Sequence, residues 1–454
     1  MTVKVISLLD RYDEVVLRNH QYYARLYGYT HQSIETRMYP HAHLKVTYKY
    51  NYLLQQLKSM DEGDIVMMID HHSLVFCPID VNVLMSGRDS VVVNGPTDVD
   101  AADIPMTNFL LVRNTAAIRA TLHEILAALH GVLGSQDHPD EEVLLQKFSL
   151  LGINTGIGDT YINVDWRIND WFKSKIFVVF LGASNSWTDD GRTMHQKVRH
   201  MTHDANLERL LMRQINDHFI EGKPMMQAPN YPAISDDTVS HFNPEAKIAL
   251  VTLYTHHITT YARVSEHNVK RYCDRHGYAY HVYRAIPEEL DPNINGTWVK
   301  SWLLKNNIAN HDWIIWVDAD VLFRNHIQKL EPLLEGRDLL FAKDLCAWPI
   351  NAGIMGFRNT PANVELIDKI WQRMLEVNDK STVYSDQGDQ FHTINVLGEE
   401  GILNEKNIVN CLSINTAPPM STPATFLTHY VGWGEPYRSV YMAHDDMLSQ
   451  RQHG

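Results

Sequence analysis

The sequence predicts an α/β protein of two tandem units, each a parallel sheet with helices on both faces. Three observations predict it. Short apolar runs alternate with amphipathic helical stretches, sequence landmarks recur at a nearly constant offset, and a Pro-rich seam separates the two series. At 454 residues the chain has room for two or more domains of roughly 100–200 residues each. Its composition, 44% hydrophobic and 21% charged, excludes disorder, collagen and coiled coil.

The elements can be justified in order. Val3 to Leu9 is an apolar run and reads as an opening strand. Arg18 to Tyr29 follows as an amphipathic helix stopped at Gly28, and Ile65 to Asp70 is the next clear strand. The second series reads strand 247–254, helix 262–276 stopped at Gly277, strand 278–283, helix 297–308 and strand 312–317. Gly28 pairs with Gly277, Asp70 with Asp318, Arg113 with Arg358 and Gly152 with Gly398, each pair 245 to 249 residues apart. Leu53-Leu54 pairs likewise with Leu303-Leu304. Such self-similarity marks two copies of one unit of roughly 220 residues. Between them, residues 222–245 carry Pro224, Pro229, Pro232 and Pro244 without apolar periodicity, the composition of a linker. The expected division is 1–221 for a first unit, 222–245 for a linker and 246–454 for a second unit.

Composition also narrows the partners. With 54 acidic and 40 basic residues the formal charge is −14, which weighs against nucleic acid as a partner. No apolar run approaches the roughly 18–20 residues of a membrane span, and the N-terminus lacks a signal-peptide pattern. Cys77, Cys273, Cys346 and Cys411 are too scattered for a disulfide framework or a C-x-x-C zinc site. A cytoplasmic, soluble protein is the expectation.

Ligands of open parallel sheets bind at the carboxyl ends of the strands. Strand 312–317 ends there in Asp318-Ala-Asp320. Two carboxylates leaving an apolar strand are costly unless a cation binds them, and hard oxygen ligands suit Mn²⁺ or Mg²⁺. Alone, the pair reads equally well as a solvated turn.

Its context is a series of motifs. Asn295 to Lys305 contains Lys300. After it come His311 to Phe323, Asn351-Ala352-Gly353, Ser385 to Gln390 with Asp389-Gln390, and His429-Tyr-Val-Gly432. In this order they resemble glycosyltransferase family 34, metal-dependent retaining GT-A enzymes that include α-galactosyl- and α-xylosyltransferases. The resemblance covers about residues 247–440. It implies two tandem GT-A (Rossmann-like) domains, the second using a nucleotide-diphosphate sugar, UDP- or GDP-linked, and a glycan hydroxyl as acceptor. It further implies that Asp318, Asp320 and His429 hold Mn²⁺ or Mg²⁺. Asn351-Ala352-Gly353 would approach the donor sugar with Gly leaving room. Asp389 and Gln390 would lie beside the anomeric carbon, and Lys300 and Gly432 near the donor. Relatives follow the His-x-x-Gly segment with a lysine on the diphosphate, whereas this chain has Glu435 there. Either Arg438 takes the cationic role or the loop faces the acceptor. Trp298, Trp302, Trp313 and Trp316 read as core rather than sugar platforms.

The first copy keeps Asp70 but has His72 where Asp320 stands. Met106-Thr107-Asn108 replaces Asn-Ala-Gly, Glu141-Glu142 replaces Asp-Gln, and Val179 replaces His429. A degenerate copy serving acceptor binding, homodimer contacts or stability is expected. The rivals are a bifunctional transferase, a transferase acting on nucleic acid or protein, and a non-catalytic sugar-binding module. Same-face attack is preferred over double displacement through Asp389.

Overall fold

The computed structural model describes residues 1–39, 41–94, 105–131, 178–180, 205–345, 348–385 and 387–453. These fall into two compact units, the first ending at Met225 and the second beginning at Met226. Among the described residues no helix is long and apolar enough to cross a membrane.

In the first unit the strands are β1 (Val3–Leu9), β2 (Thr30–Glu35), β3 (Ile65–Asp70), β4 (Ser73–Val75), β5 (Ser90–Asn94), β6 (Pro105–Arg113) and β7 (Val178–Phe180). Five form a sheet in the order β2-β1-β3-β6-β5, and β4 pairs with β7 apart from it. Successive residues of β3 serve opposite faces. Ile65, Met67 and Ile69 pack with Tyr23 and Ala24, while Val66 and Met68 pack with Leu53, Leu54, Leu122 and Ile125. Burial of both faces is why this strand is an unbroken apolar run.

The second unit contains β8 (Val239–Phe242), β9 (Ile248–Leu253), β10 (Ala279–Tyr283), β11 (Trp313–Val317), β12 (Val321–Phe323), β13 (Leu339–Ala342), β14 (Asn351–Arg358), β15 (Ile408–Val409) and β16 (Leu427–His429). Its sheet runs β15-β13-β14-β11-β9-β10-β8, with β12 and β16 paired separately. One face packs Val251, Ile314 and Trp316 against Leu303, Leu304, Ile367 and Ile370 of the helices Lys300–Asn307 and Pro361–Glu376. Helix Thr259–His276 packs against helix Tyr437–His453 and is capped by Gly277 at φ +70°, a conformation glycine adopts without the Cβ clash. Trp298, Trp313 and Trp316 are buried, in keeping with a packing role, and Trp302 lies against the same core.

Two expectations are corrected. The sheets are mixed, because β14 runs antiparallel to both β11 and β13. Only residues 343–350 link β13 to β14, too short a stretch for the crossover helix that a parallel neighbour needs. The Pro-rich segment is not linker throughout, since Val239–Phe242 forms an antiparallel edge strand on β10. An edge strand tolerates the exposed polar residues that hid it from the apolar pattern.

The two units share strand order: β10-β9-β11-β14-β13 repeats β2-β1-β3-β6-β5. They also share register. Ile65 faces Arg113 as Trp313 faces Arg358, and Val3 faces Ile65 as Ile248 faces Trp313. The backbone N–H of Asn114 donates to Asp64 O, and that of Asn359 donates to Asp312 O. The Leu151-Gly152 landmark and Glu141-Glu142 lie outside the described residues.

Candidate active site

A cleft of about 1250 Å³ opens at the carboxyl ends of β9 and β11. Its walls include Asp318, Asp320, Gly353, Asp389, His429 and Arg438. Strand β11 delivers Asp318, whose backbone N–H is held by Gly353 O at 2.9 Å, and the chain turns through Asp320 into β12. Antiparallel pairing of β12 with β16 sets His429 opposite Val321, which brings an imidazole 109 residues distant beside the two carboxylates.

His429 Nε2 lies 3.2 Å from Asp320 Oδ1 and 4.0 Å from Asp318 Oδ2. One ligand atom from each of the three residues falls within 4.8 Å of the others. The buried Asn415 fixes the ring: its Oδ1 accepts from His429 Nδ1 at 2.7 Å, so Nε2 faces the carboxylates; with a proton it donates to Asp320, and without one it offers its lone pair to a cation. Two carboxylate oxygens and an imidazole lone pair converging on one point fit a divalent cation such as Mn²⁺ or Mg²⁺. Burial and the neighbouring Asp320 raise the Asp318 pKa against the pull of Lys300. Burial also works against ionised Asp320, but His429 and Arg438 outweigh it and hold that carboxyl below its ordinary range.

Glycine at 353 is required by the histidine. A Cβ there would stand 2.3 Å from His429 Cε1 and 2.8 Å from Asn351 Oδ1. The His429 ring occupies the room that the missing side chain leaves. Asn351 Oδ1 accepts from Gly353 N at 2.9 Å and Asn351 Nδ2 donates to Asp344 at 3.0 Å. Gln390 Oε1 accepts from Ala352 N at 2.9 Å, which ties the start of helix Asp389–Glu399 to the same segment.

Lys300 is buried rather than a surface lysine. Its Nζ reaches Asp318 Oδ1 at 2.9 Å and Asp389 Oδ2 at 3.1 Å. Burial disfavours its charge, yet the two carboxylates more than offset this and raise its pKa. Trp316 Nε1 donates to Asp318 Oδ1 at 2.6 Å. Gly432 lines the cleft. Glu435 Oε2 accepts from Ser439 on the helix that follows it, while Arg438 NH1 lies 3.2 Å from Asp320 Oδ2. Asn415, Asp344 and Tyr261 were missed by the sequence reading; none stands at a spacing that any motif signals.

The first unit's counterpart is built differently. Asp70 Oδ1 accepts from His72 N and Ser73 Oγ, and Oδ2 accepts from Asn108 Nδ2 at 2.9 Å. Asn108 holds the register position of Gly353, so a side-chain amide engages the aspartate where the second unit has the His429 ring. Opposite Ser73, the place His429 takes opposite Val321, stands Phe180. This corrects the expected Val179 by one residue, because pairing of β4 with β7, not motif spacing, sets the register.

Residues 244–340 match the galactosyl transferase GMA12/MNN10 family. Over that span the second unit matches a glycosyltransferase family. The matched span carries Lys300, Asp318 and Asp320, while Asn351–Gly353, Asp389, Gln390 and His429 lie beyond it. No curated protein matches the chain. Among solved structures, a glycosyltransferase involved in glycosylating the major capsid of PBCV-1 is 18% identical, with 43% of this chain and 98% of that one covered at a TM-score of 0.36. The glycosyltransferase GlyE of Streptococcus pneumoniae TIGR4 is 13% identical over 45% of this chain and 63% of its own, TM-score 0.32. The galactosyltransferase LgtC, solved with donor and acceptor sugar analogues, is 16% identical over 45% and 95%, TM-score 0.31. The second unit combines a mixed sheet with Asp-x-Asp at the carboxyl end of an inner strand.

Proposed function

We propose that the second unit transfers a sugar from a UDP- or GDP-linked donor to a glycan hydroxyl with retention of configuration, with Asp318, Asp320 and His429 holding Mn²⁺ or Mg²⁺. The observation that carries this reading is the convergence of those three side chains in the cleft, with Asn415 aiming His429 Nε2 at the two carboxylates. When bound, the ion supplies Lewis-acid stabilisation of the departing diphosphate. Lys300 fixes Asp318 and Asp389 relative to each other. Gln390, tied to Ala352 N, holds its amide beside the same segment. A carboxylate already ion-paired with a buried lysine is a weak nucleophile, so Asp389 orients the sugar and attack comes from the face of the leaving group.

The first unit, 1–221, is read as a tandem copy that no longer binds a cation. Matching strand order and register support the duplication, and Asn108 on Asp70 with Phe180 in place of His429 supports the loss. The chain passes from it into the transferase unit through residues 222–238, ahead of the edge strand β8.

Hydrolysis of a nucleotide-sugar panel with Mn²⁺ tests the reading. Turnover of one donor, abolished by chelator, with the α anomer retained by NMR, is the expected result. An inverted β product overturns retention, and chelator-resistant turnover overturns the cation site. A hexose or pentose mass on the peptide holding Asp389 overturns same-face attack.

A further inference from the structure

The site described above gives Arg438 no task beyond neutralising Asp320. Its surroundings point to one. Its NH1 lies 3.2 Å from Asp320 Oδ2, its guanidinium carbon lies 4.6 Å from the centroid of the Tyr261 ring, and its Nε is buried with no hydrogen-bond partner. Tyr261 is itself buried and lines the cleft, so the ring backs one face of the guanidinium and leaves its edge toward the carboxylate. Asp320 therefore has His429 at one oxygen and a fixed positive charge at the other.

Any divalent cation taking Asp320 must compete with this guanidinium and then stand next to it. Like charges in a partly buried cleft repel strongly. A diphosphate reverses the balance. Its oxygens accept from the unpartnered Nε–H and the adjacent N–H in a bidentate contact, and its negative charge lies between cation and guanidinium.

We propose that Arg438 makes cation binding conditional on the nucleoside diphosphate, so that cation and nucleotide bind cooperatively and neither is held well alone. This rests on the reading of the second unit as a cation-dependent nucleotide-sugar site. By linkage, the factor by which diphosphate tightens the cation equals the factor by which the cation tightens diphosphate.

Electron paramagnetic resonance of free Mn²⁺ measures it on the full chain, with and without UDP and then GDP. The Mn²⁺–nucleotide complex in solution is common to every variant and cancels in the comparison. Wild type is expected to bind Mn²⁺ roughly tenfold or more tightly with the accepted nucleotide. Arg438→Gln should bind Mn²⁺ alone several-fold tighter than wild type and lose most of the nucleotide-dependent gain. Arg438→Lys, which keeps the charge without the fork, should bind Mn²⁺ alone as wild type does and recover only part of the gain. If Arg438→Gln is folded by circular dichroism and leaves both the Mn²⁺ affinity and the gain unchanged, the coupling is wrong and the site stands. If wild type binds no Mn²⁺ with or without nucleotide, the cation site itself falls, and the coupling with it.

Discussion

A methyl group at residue 353 would decide whether His429 can stand beside Asp318 and Asp320. The His429 ring fills the space a Cβ would need, and Gly353 O holds Asp318 N, so the strand has little freedom to back away. Gly353→Ala is therefore expected to displace the imidazole, weaken Mn²⁺ and cut donor hydrolysis roughly a hundredfold, the usual cost of an ångström's misplacement. Wild-type Mn²⁺ affinity in that variant would show that the close approach is dispensable. Asp320→Ala should abolish turnover while the melting curve stays near wild type, because it removes a ligand from a cleft and opens no core cavity. Asn415→Ala acts at one remove. By freeing the ring it should lower Mn²⁺ affinity roughly ten- to a hundredfold, read by Mn²⁺ titration. Asp318, Asp320 and His429 were legible because their residue types advertise chemistry at spacings that motifs record. Asn415 was not, for an asparagine 14 residues before the histidine says nothing until β16 folds back against Thr416.

Strands with both faces buried announced themselves as apolar runs, and helices by their glycine stops. What the runs did not disclose was direction. Asn351 to Arg358 reads equally well parallel or antiparallel, and the short 343–350 connection settles it. Strand β8 escaped notice because only Val239 and Phe242 of its four residues are apolar. It is fastened by histidines instead. His311 Nδ1 donates to Ala246 O at 2.6 Å, His281 Nε2 then donates to His311 Nε2 at 2.8 Å, and His241 Nδ1 donates to His281 Nδ1 at 2.7 Å. His281 sits between two rings, donating through Nε2 and accepting at Nδ1, so it is held neutral. Burial, with His311 and His241 adding to it, pushes the His281 pKa down to about 3. The unfolded ring takes a proton near pH 6.5 and the folded one does not, so acidification favours unfolding. Stability from this group is intact above pH 6.5 and declines by about 1.4 kcal/mol per pH unit down to about pH 3. Thermal melts between pH 7 and pH 5 should show this slope, and His281→Gln should flatten it. An unchanged slope in the variant would remove the histidine chain from the account.

Over the whole chain, a nearly constant offset between landmarks was enough to reveal two units. It also located Asp70, His72 and Asn108 opposite Asp318, Asp320 and Gly353. Phe180 rather than Val179 takes the place of His429, and at 429 − 180 = 249 residues it lies within the same offset range. Asp70→Ala combined with His72→Ala should leave donor hydrolysis within a fewfold of wild type, as these side chains belong to the copy read as inactive. Loss of a separate transfer activity in that double variant would make the protein bifunctional.

The shared register of the two units has a consequence of its own. Asn114 and Asn359 still bind matching carbonyls, and β3 and β11 still meet their neighbours residue for residue, although the residues that would surround a cation have diverged. One half thus serves as a built-in control for the other. Whatever both retain is a roster of what this architecture demands merely to fold, and the remainder, from Gly353 to His429, is the price of chemistry. Grafting that remainder into the first half, beginning with Asn108→Gly, becomes a problem of reinstating a few side chains on a frame already in place.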